Sequence, residues 1–130
     1  MGGVDQTVVF DTQTEPSGVF SIYCRSCYDY RKNPFDPKES SDYDGTMIDE
    51  GMNSLIGEYT GNRSHDLFSS DEGNWSVRSP FLLITEGKAK YQQPVEDMIL
   101  SLPIGQPDHS GSLVQELYDA GSISVPWFGF

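Results

Sequence analysis

Basic residues are scarce in this chain. Eight Lys and Arg stand against twenty Asp and Glu in 130 residues, for a formal charge of −12. A surface of that sign repels phosphate backbones, which argues against a nucleic-acid binder. Long apolar runs are also missing. Phe81-Leu82-Leu83-Ile84 is among the longest and is strand-sized, far short of the roughly 20 residues of a membrane-spanning helix. The opening Met1-Gly2-Gly3-Val4-Asp5 offers neither a basic nor an apolar region, so no secretory signal is read there. What is present is a loop-rich globular composition, with 13 Gly, 8 Pro and a hydrophobic fraction of 36%. Seven Phe, seven Tyr and two Trp can anchor a core and argue against wholesale disorder. The length sets one domain, residues 1–130.

The only two cysteines, Cys24 and Cys27, form a Cys-Arg-Ser-Cys pair. Half a zinc site would need two more ligands, and His65 and His109 lack metal-site spacing, so no metal and no cofactor are expected. A redox motif should open a helix after a strand, whereas Tyr28-Asp29-Tyr30-Arg31-Lys32-Asn33-Pro34 reads as loop. A small-loop disulfide is the favoured reading, with two inert thiols as the alternative. Asn62-Arg63-Ser64 and Asn74-Trp75-Ser76 are glycosylation sequons, a pattern that also arises by chance.

Strand patterns fall at Thr7–Phe10, Val19–Tyr23, Phe81–Ile84, Met98–Leu102 and Val125–Phe130. A hairpin is expected from Met47–Glu50 and Leu55–Tyr59, turning at Met52-Asn53-Ser54, and residues 61–74 read as a solvated acidic loop. One helix stands out over 112–120, capped by Ser112, stopped by Gly121, with Leu113, Leu117 and Ala120 on one face. Short strands with a single helix predict an all-β fold.

The order of these pieces resembles the N-terminal lobe of pepsin-like aspartic peptidases. Val8-Val9-Phe10-Asp11-Thr12 looks like the strand and start of that family's Asp-Thr-Gly loop, and Val19, Ser21, Tyr23 and Cys24 fall where it has "WVPSVYC". Phe35-Asp36-Pro37-Lys38-Glu39-Ser40-Ser41-Asp42-Tyr43 matches the segment F-x-P-x-x-S-S-x-Y. Ile48-Asp49-Glu50-Gly51-Met52-Asn53-Ser54 sits at the flap, Asp97-Met98-Ile99-Leu100-Ser101-Leu102 resembles D-G-I-L-G-L, and 112–128 resembles the helix and strand that follow. The resemblance implies an all-β lobe with one short helix, a disulfide-closed small loop at Cys24 and Cys27, and a secreted or vacuolar ancestor, although compartment stays open without a signal. It also implies that Asp11 turns over at the tip of a strand–turn–strand, near Glu50 or the 98–102 strand.

In that family two aspartates, one from each lobe, share a proton across the attacking water, because like charges so close cannot both ionise. Asp11 and its neighbour Thr12 would be the N-lobe contribution; a C-terminal lobe with the second aspartate is missing from these residues. Several positions depart from the pattern. Gln13 and Gly18 stand for the loop glycine and the tryptophan, Glu50 beside Gly51 stands for the flap tyrosine, and Met98 and Ser101 replace two glycines. Glu15 adds a negative charge beside Asp11. The expectation is a peptidase homologue whose single lobe is inactive. The alternatives are a non-catalytic module holding a peptide or protein in the degenerate cleft and, less favoured because of Gln13, a homodimer in which two Asp11 side chains form the dyad.

Overall fold

Alternation along the apolar runs sorts their side chains onto two faces of one sheet. The computed structural model describes residues 5–11, 16–27, 33–54, 56–70, 73–89, 97–102 and 113–124. They form β1 (Val8–Asp11), β2 (Gly18–Phe20), β3 (Asp44–Asn53), β4 (Gly57–Ser69), β5 (Ser76–Ala89), β6 (Met98–Ser101) and helix α1 (Leu113–Asp119). The strands make a single six-stranded mixed sheet, ordered β1-β6-β2-β5-β4-β3. β1 runs parallel to β6 and β2 parallel to β5, while the remaining pairs are antiparallel. The chain is therefore mostly β, with one short helix.

Val19, Phe81, Leu83, Met98 and Leu100 point to one face and join Phe35, Phe68, Val77 and the helix residues Leu113 and Leu117. Phe20, Leu82, Ile84 and Ile99 point to the other, with Cys24, Met52 and Tyr59. The central strands are thus buried on both sides, which accounts for their unbroken apolar sequence. Phe35 and Tyr43 flank a turn that begins at Asp36, whose carboxylate accepts from the Lys38 amide at 2.9 Å. Both rings return to the core, with Phe35 lying edge-on to Phe81 at 6.1 Å.

The expected solvated loop over 61–74 is a correction: β4 runs through Ser69, and the connection to β5 falls at 70–75. Polarity hid it. Gly61, Ser64, Asp66 and Phe68 face inward, and the two polar side chains among them bond to residues of the 40–43 segment. The Ser64 hydroxyl shares a hydrogen bond with the Tyr43 hydroxyl at 3.0 Å, and Asp66 Oδ1 accepts from Ser40 Oγ at 3.0 Å. Asp66 Oδ2 is buried with no hydrogen-bond partner among the described residues, a local cost of about 1–3 kcal/mol.

The β3–β4 hairpin turns at 54–56, later than expected, because the Ser54 hydroxyl and amide both bond to the Gly57 carbonyl. Its partner ribbon β4–β5 carries a bulge where the register shifts between Thr60 and Gly61. At that point a side chain on Gly61 would collide with the Leu83 carbonyl, so only glycine lets the two backbones pass. Ile22 and Tyr23 leave the second strand early, since the Cys24 amide turns back to the Ser21 carbonyl at 3.0 Å.

Helix α1 ends in a Schellman motif: Gly121 has φ 75°, its amide bonds to the Tyr118 carbonyl, and the Ser122 amide reaches the Leu117 carbonyl. Leu113 and Leu117 are buried, but Ala120 lies past the last turn and is exposed, which corrects the three-residue apolar face. The expected cap at Ser112 and the strand over 125–130 lie outside the described residues.

Desolvation against the sheet pushes the Glu116 carboxyl above its ordinary pKa; Asp119 adds to the shift and His65 opposes it. The folded state then holds a proton that the unfolded chain has released, so this group's contribution is full below the ordinary carboxylate pKa and is lost as pH rises through the elevated value. Glu116→Gln is expected to flatten that decline and to raise the urea midpoint at pH 7 more than at pH 4, as read by fluorescence titration at both pH values.

Candidate functional site

β6 lies between the two arms of the 8–20 segment. On one side it pairs in parallel with β1, setting Asp11 opposite Ser101, and on the other it pairs antiparallel with β2. The Leu102 amide donates to the Asp11 carbonyl at 2.9 Å, which fixes the end of β1 against the end of β6. Asp11 is 3% exposed and Ser101 is fully buried. Asp11 therefore sits beside the 98–102 strand, at the end of β1. Thr12, Gln13, Thr14 and Glu15 lie outside the described residues.

Two groups hold this crossing together. Ser17, 2% exposed, accepts the Ser101 amide on its hydroxyl at 2.9 Å, while its carbonyl accepts the Leu82 amide at 2.8 Å, so one residue links β6 to β5. Asp97, fully buried, accepts from the Thr7 amide and the Thr7 hydroxyl, both at 2.9 Å, and from the Asn33 amide at 3.0 Å. Hydrogen bonds to a carboxylate contribute roughly 1.5–3 kcal/mol each. Asp97 is accordingly a staple between three distant segments. Sequence reasoning missed Ser17, although a small polar residue abutting a buried apolar run must find a partner.

The hairpin residues take separate positions. Glu50, on β3, is held by an ion pair with Arg63 of β4, whose Nε donates at 3.2 Å. That contact raises the Arg63 pKa, through the hydrogen bond first and the charge second. Gly51 is exposed beside it, and Met52 turns inward. Where the resemblance has a tryptophan, Gly18 leaves a space filled by Met52; a Cβ there would lie 2.7 Å from Met52 Sδ and 2.9 Å from Ile84 Cδ1. The β3–β4 hairpin is thereby packed onto β2 by a thioether. Cys24 and Cys27 are joined by a disulfide with their Cα atoms 5.2 Å apart. Asn62 lies in mid-β4 and Asn74 in the turn before β5.

A second feature was not foreseen. At the hairpin end of the ribbon an open groove of about 670 Å³ has Met52, Tyr59, Gly87 and Ser26 among its lining, with Glu58, Glu86 and Lys88 at the same surface. Tyr59 lies opposite Gly87 in the ladder, and any Gly87 side chain would collide with its ring. The Tyr59 ring stands edge-on to Phe20 at 5.0 Å, and Ser26 Oγ accepts the Gly87 amide at 2.8 Å, tying the disulfide loop to this rim. Asp11 does not line the groove. Among the described residues no group of three His, Cys, Asp or Glu side chains is placed to hold a metal ion, and no helix is long and apolar enough to cross a membrane. No protein-family model matches the chain, and no curated protein matches it by sequence.

Because Met52 and Ile84 occupy the space above Gly18, Gly18→Trp is expected to destabilise the fold by roughly 2–4 kcal/mol through overpacking. The double variant Gly18→Trp with Met52→Ala should recover part of that loss. Urea denaturation of the three proteins checks this; an unchanged midpoint in the single variant contradicts the packing described.

Proposed function

We propose that this chain is a one-lobe relative of the pepsin-like aspartic peptidases that does not hydrolyse peptide bonds unaided. The observation that carries the reading is β6 threaded between β1 and β2, with the backbone of Asp11 bonded to Leu102 at the crossing. The ordered sequence resemblance calls for such a crossing at its Asp-Thr turn. The inactive half of the reading rests on chemistry. A general acid–base pair needs one carboxyl to hold the proton that the other lacks. These 130 residues carry a single Asp-Thr segment matching the family's loop, and Gln13 stands where that loop has glycine.

A second reading is a binding module, and the groove favours it. Its apolar floor of Met52 and Tyr59, rimmed by Glu58 and Glu86, suits a peptide or protein segment carrying an apolar side chain beside a basic one. Lys88 lies directly across the ladder from Glu58 and offsets part of that charge.

One set of measurements tests both. The purified chain and its Gln13→Gly variant are expected to give no pepstatin-sensitive turnover of a fluorogenic peptide between pH 2 and 7. Turnover that pepstatin inhibits and Asp11→Asn abolishes would overturn the inactive reading, and a dimer in sedimentation would then assign the second carboxyl to another copy. Titrating the same protein with a Lys- and Leu-containing peptide should show salt-sensitive binding weakened by Glu86→Gln. No binding at low salt removes the second reading.

A further inference from the structure

The two sequons occupy opposite situations on the same ribbon. Asn62 is in the middle of β4, where its amide nitrogen donates to Asp49 Oδ1 on the neighbouring strand at 3.0 Å. The Ser64 hydroxyl of that sequon is fully buried, engaged with the Tyr43 hydroxyl at 3.0 Å and the Asn62 carbonyl at 3.2 Å. Asn74 lies in the turn between β4 and β5, and both it and Ser76 are exposed. That turn is shaped by its own backbone. Gly73 has φ 68°, its amide bonds to the Ser70 carbonyl at 2.9 Å, and the Asn74 amide bonds to the Ser70 hydroxyl at 3.0 Å. Trp75, partly buried against the core, pins the turn so that its two neighbours face outward.

An acceptor asparagine needs its amide nitrogen and the hydroxyl two residues on at a surface turn that an enzyme can engage. We propose that Asn74 is an N-glycosylation site and that Asn62 is not. In the transfer a bond forms between Asn74 Nδ2 and the anomeric carbon of an oligosaccharide carried on a lipid pyrophosphate. The bond from that carbon to the pyrophosphate oxygen breaks, the lipid pyrophosphate leaves with the electron pair, and the amide proton passes to a base of the transferase. The disulfide between Cys24 and Cys27 belongs to the same oxidising compartments in which such transfer occurs.

The position also leaves the groove uncovered. β4 has 13 residues, and at about 3.3 Å each they hold the turn roughly 40 Å from the hairpin end. A glycan on Asn74 stands at the far end of the ribbon from Tyr59 and Glu86.

The full chain, secreted from a eukaryotic host behind a cleavable leader, is the material for the test, with intact mass measured before and after an amidase that removes N-glycans. One glycan is expected, present on Asn62→Gln at the same occupancy and absent from Asn74→Gln. Ser76→Ala leaves Asn74 in place and should abolish the modification as well, which covers a failure of the first variant to fold. An unmodified protein, a glycan that survives Asn74→Gln, or a second glycan lost in Asn62→Gln would each overturn the assignment.

Discussion

The insertion of β6 between two strands of one short segment is the constraint on which the rest of the structure depends. β1 and β2 are separated by only six residues, yet neither pairs with the other; both pair with residues that arrive about 80 to 90 positions later. Without β6 the inner edges of both strands expose unsatisfied amides and carbonyls. The Asp97 carboxylate makes the insertion specific, because Thr7 and Asn33 must both be in place before its oxygens are occupied. Contacts of this sequence separation are made against a large loop-closure entropy, which places the β1–β6 crossing among the later events of folding.

The β4–β5 ribbon supplies the complementary rigid body. It forms from neighbouring residues and carries the hairpin, the groove and the connection at 70–75 on a single ladder. Its two ends have different chemistry. At one end, Gly57 and Gly87 give up side chains so that the Tyr59 ring can lie flat over the backbone and meet Phe20 edge-on. At the other end, Phe68 packs edge-on to Phe81 at 5.8 Å and closes the opposite core. Edge strand β3 loses its ladder register between Gly45 and Asp49, and Met47 and Ile48 stand out into solvent there. Such an irregularity, flanked by Asp44 and Asp49, blunts the pairing of this edge with other chains.

Asp11 and the groove differ in the physical requirement each can meet. Asp11 is almost fully buried and anchored through its backbone, whereas the dyad of the proposed relatives would require a second carboxyl brought to the same point. The groove is open, partly apolar and edged by charge, which suits association. Met52 connects the two regions. Its sulfur fills the Gly18 space next to the crossing while the same residue lines the groove, so a ligand that displaced it would also disturb β2.

The sequence by itself determined the class of fold and most of its strands. The unbroken runs at Val19-Phe20, Phe81–Ile84 and Met98–Leu100 can be buried on both faces only in the middle of a sheet. Gly121 after Leu117 is the signature of a helix stop. Tertiary structure alone decided the rest. β4 carries polar residues on its inner face, and these become strand positions only because Tyr43 and Ser40 come from elsewhere to satisfy Ser64 and Asp66. Ser17 acquires its role from Ser101, 84 residues away. Glu50, read beside Asp11 in one alternative, is paired instead with Arg63 across the ladder. Local pattern reports what a residue buries; its hydrogen-bond partner is chosen by strands that meet only when the sheet closes, and that choice is written in no contiguous stretch of the chain.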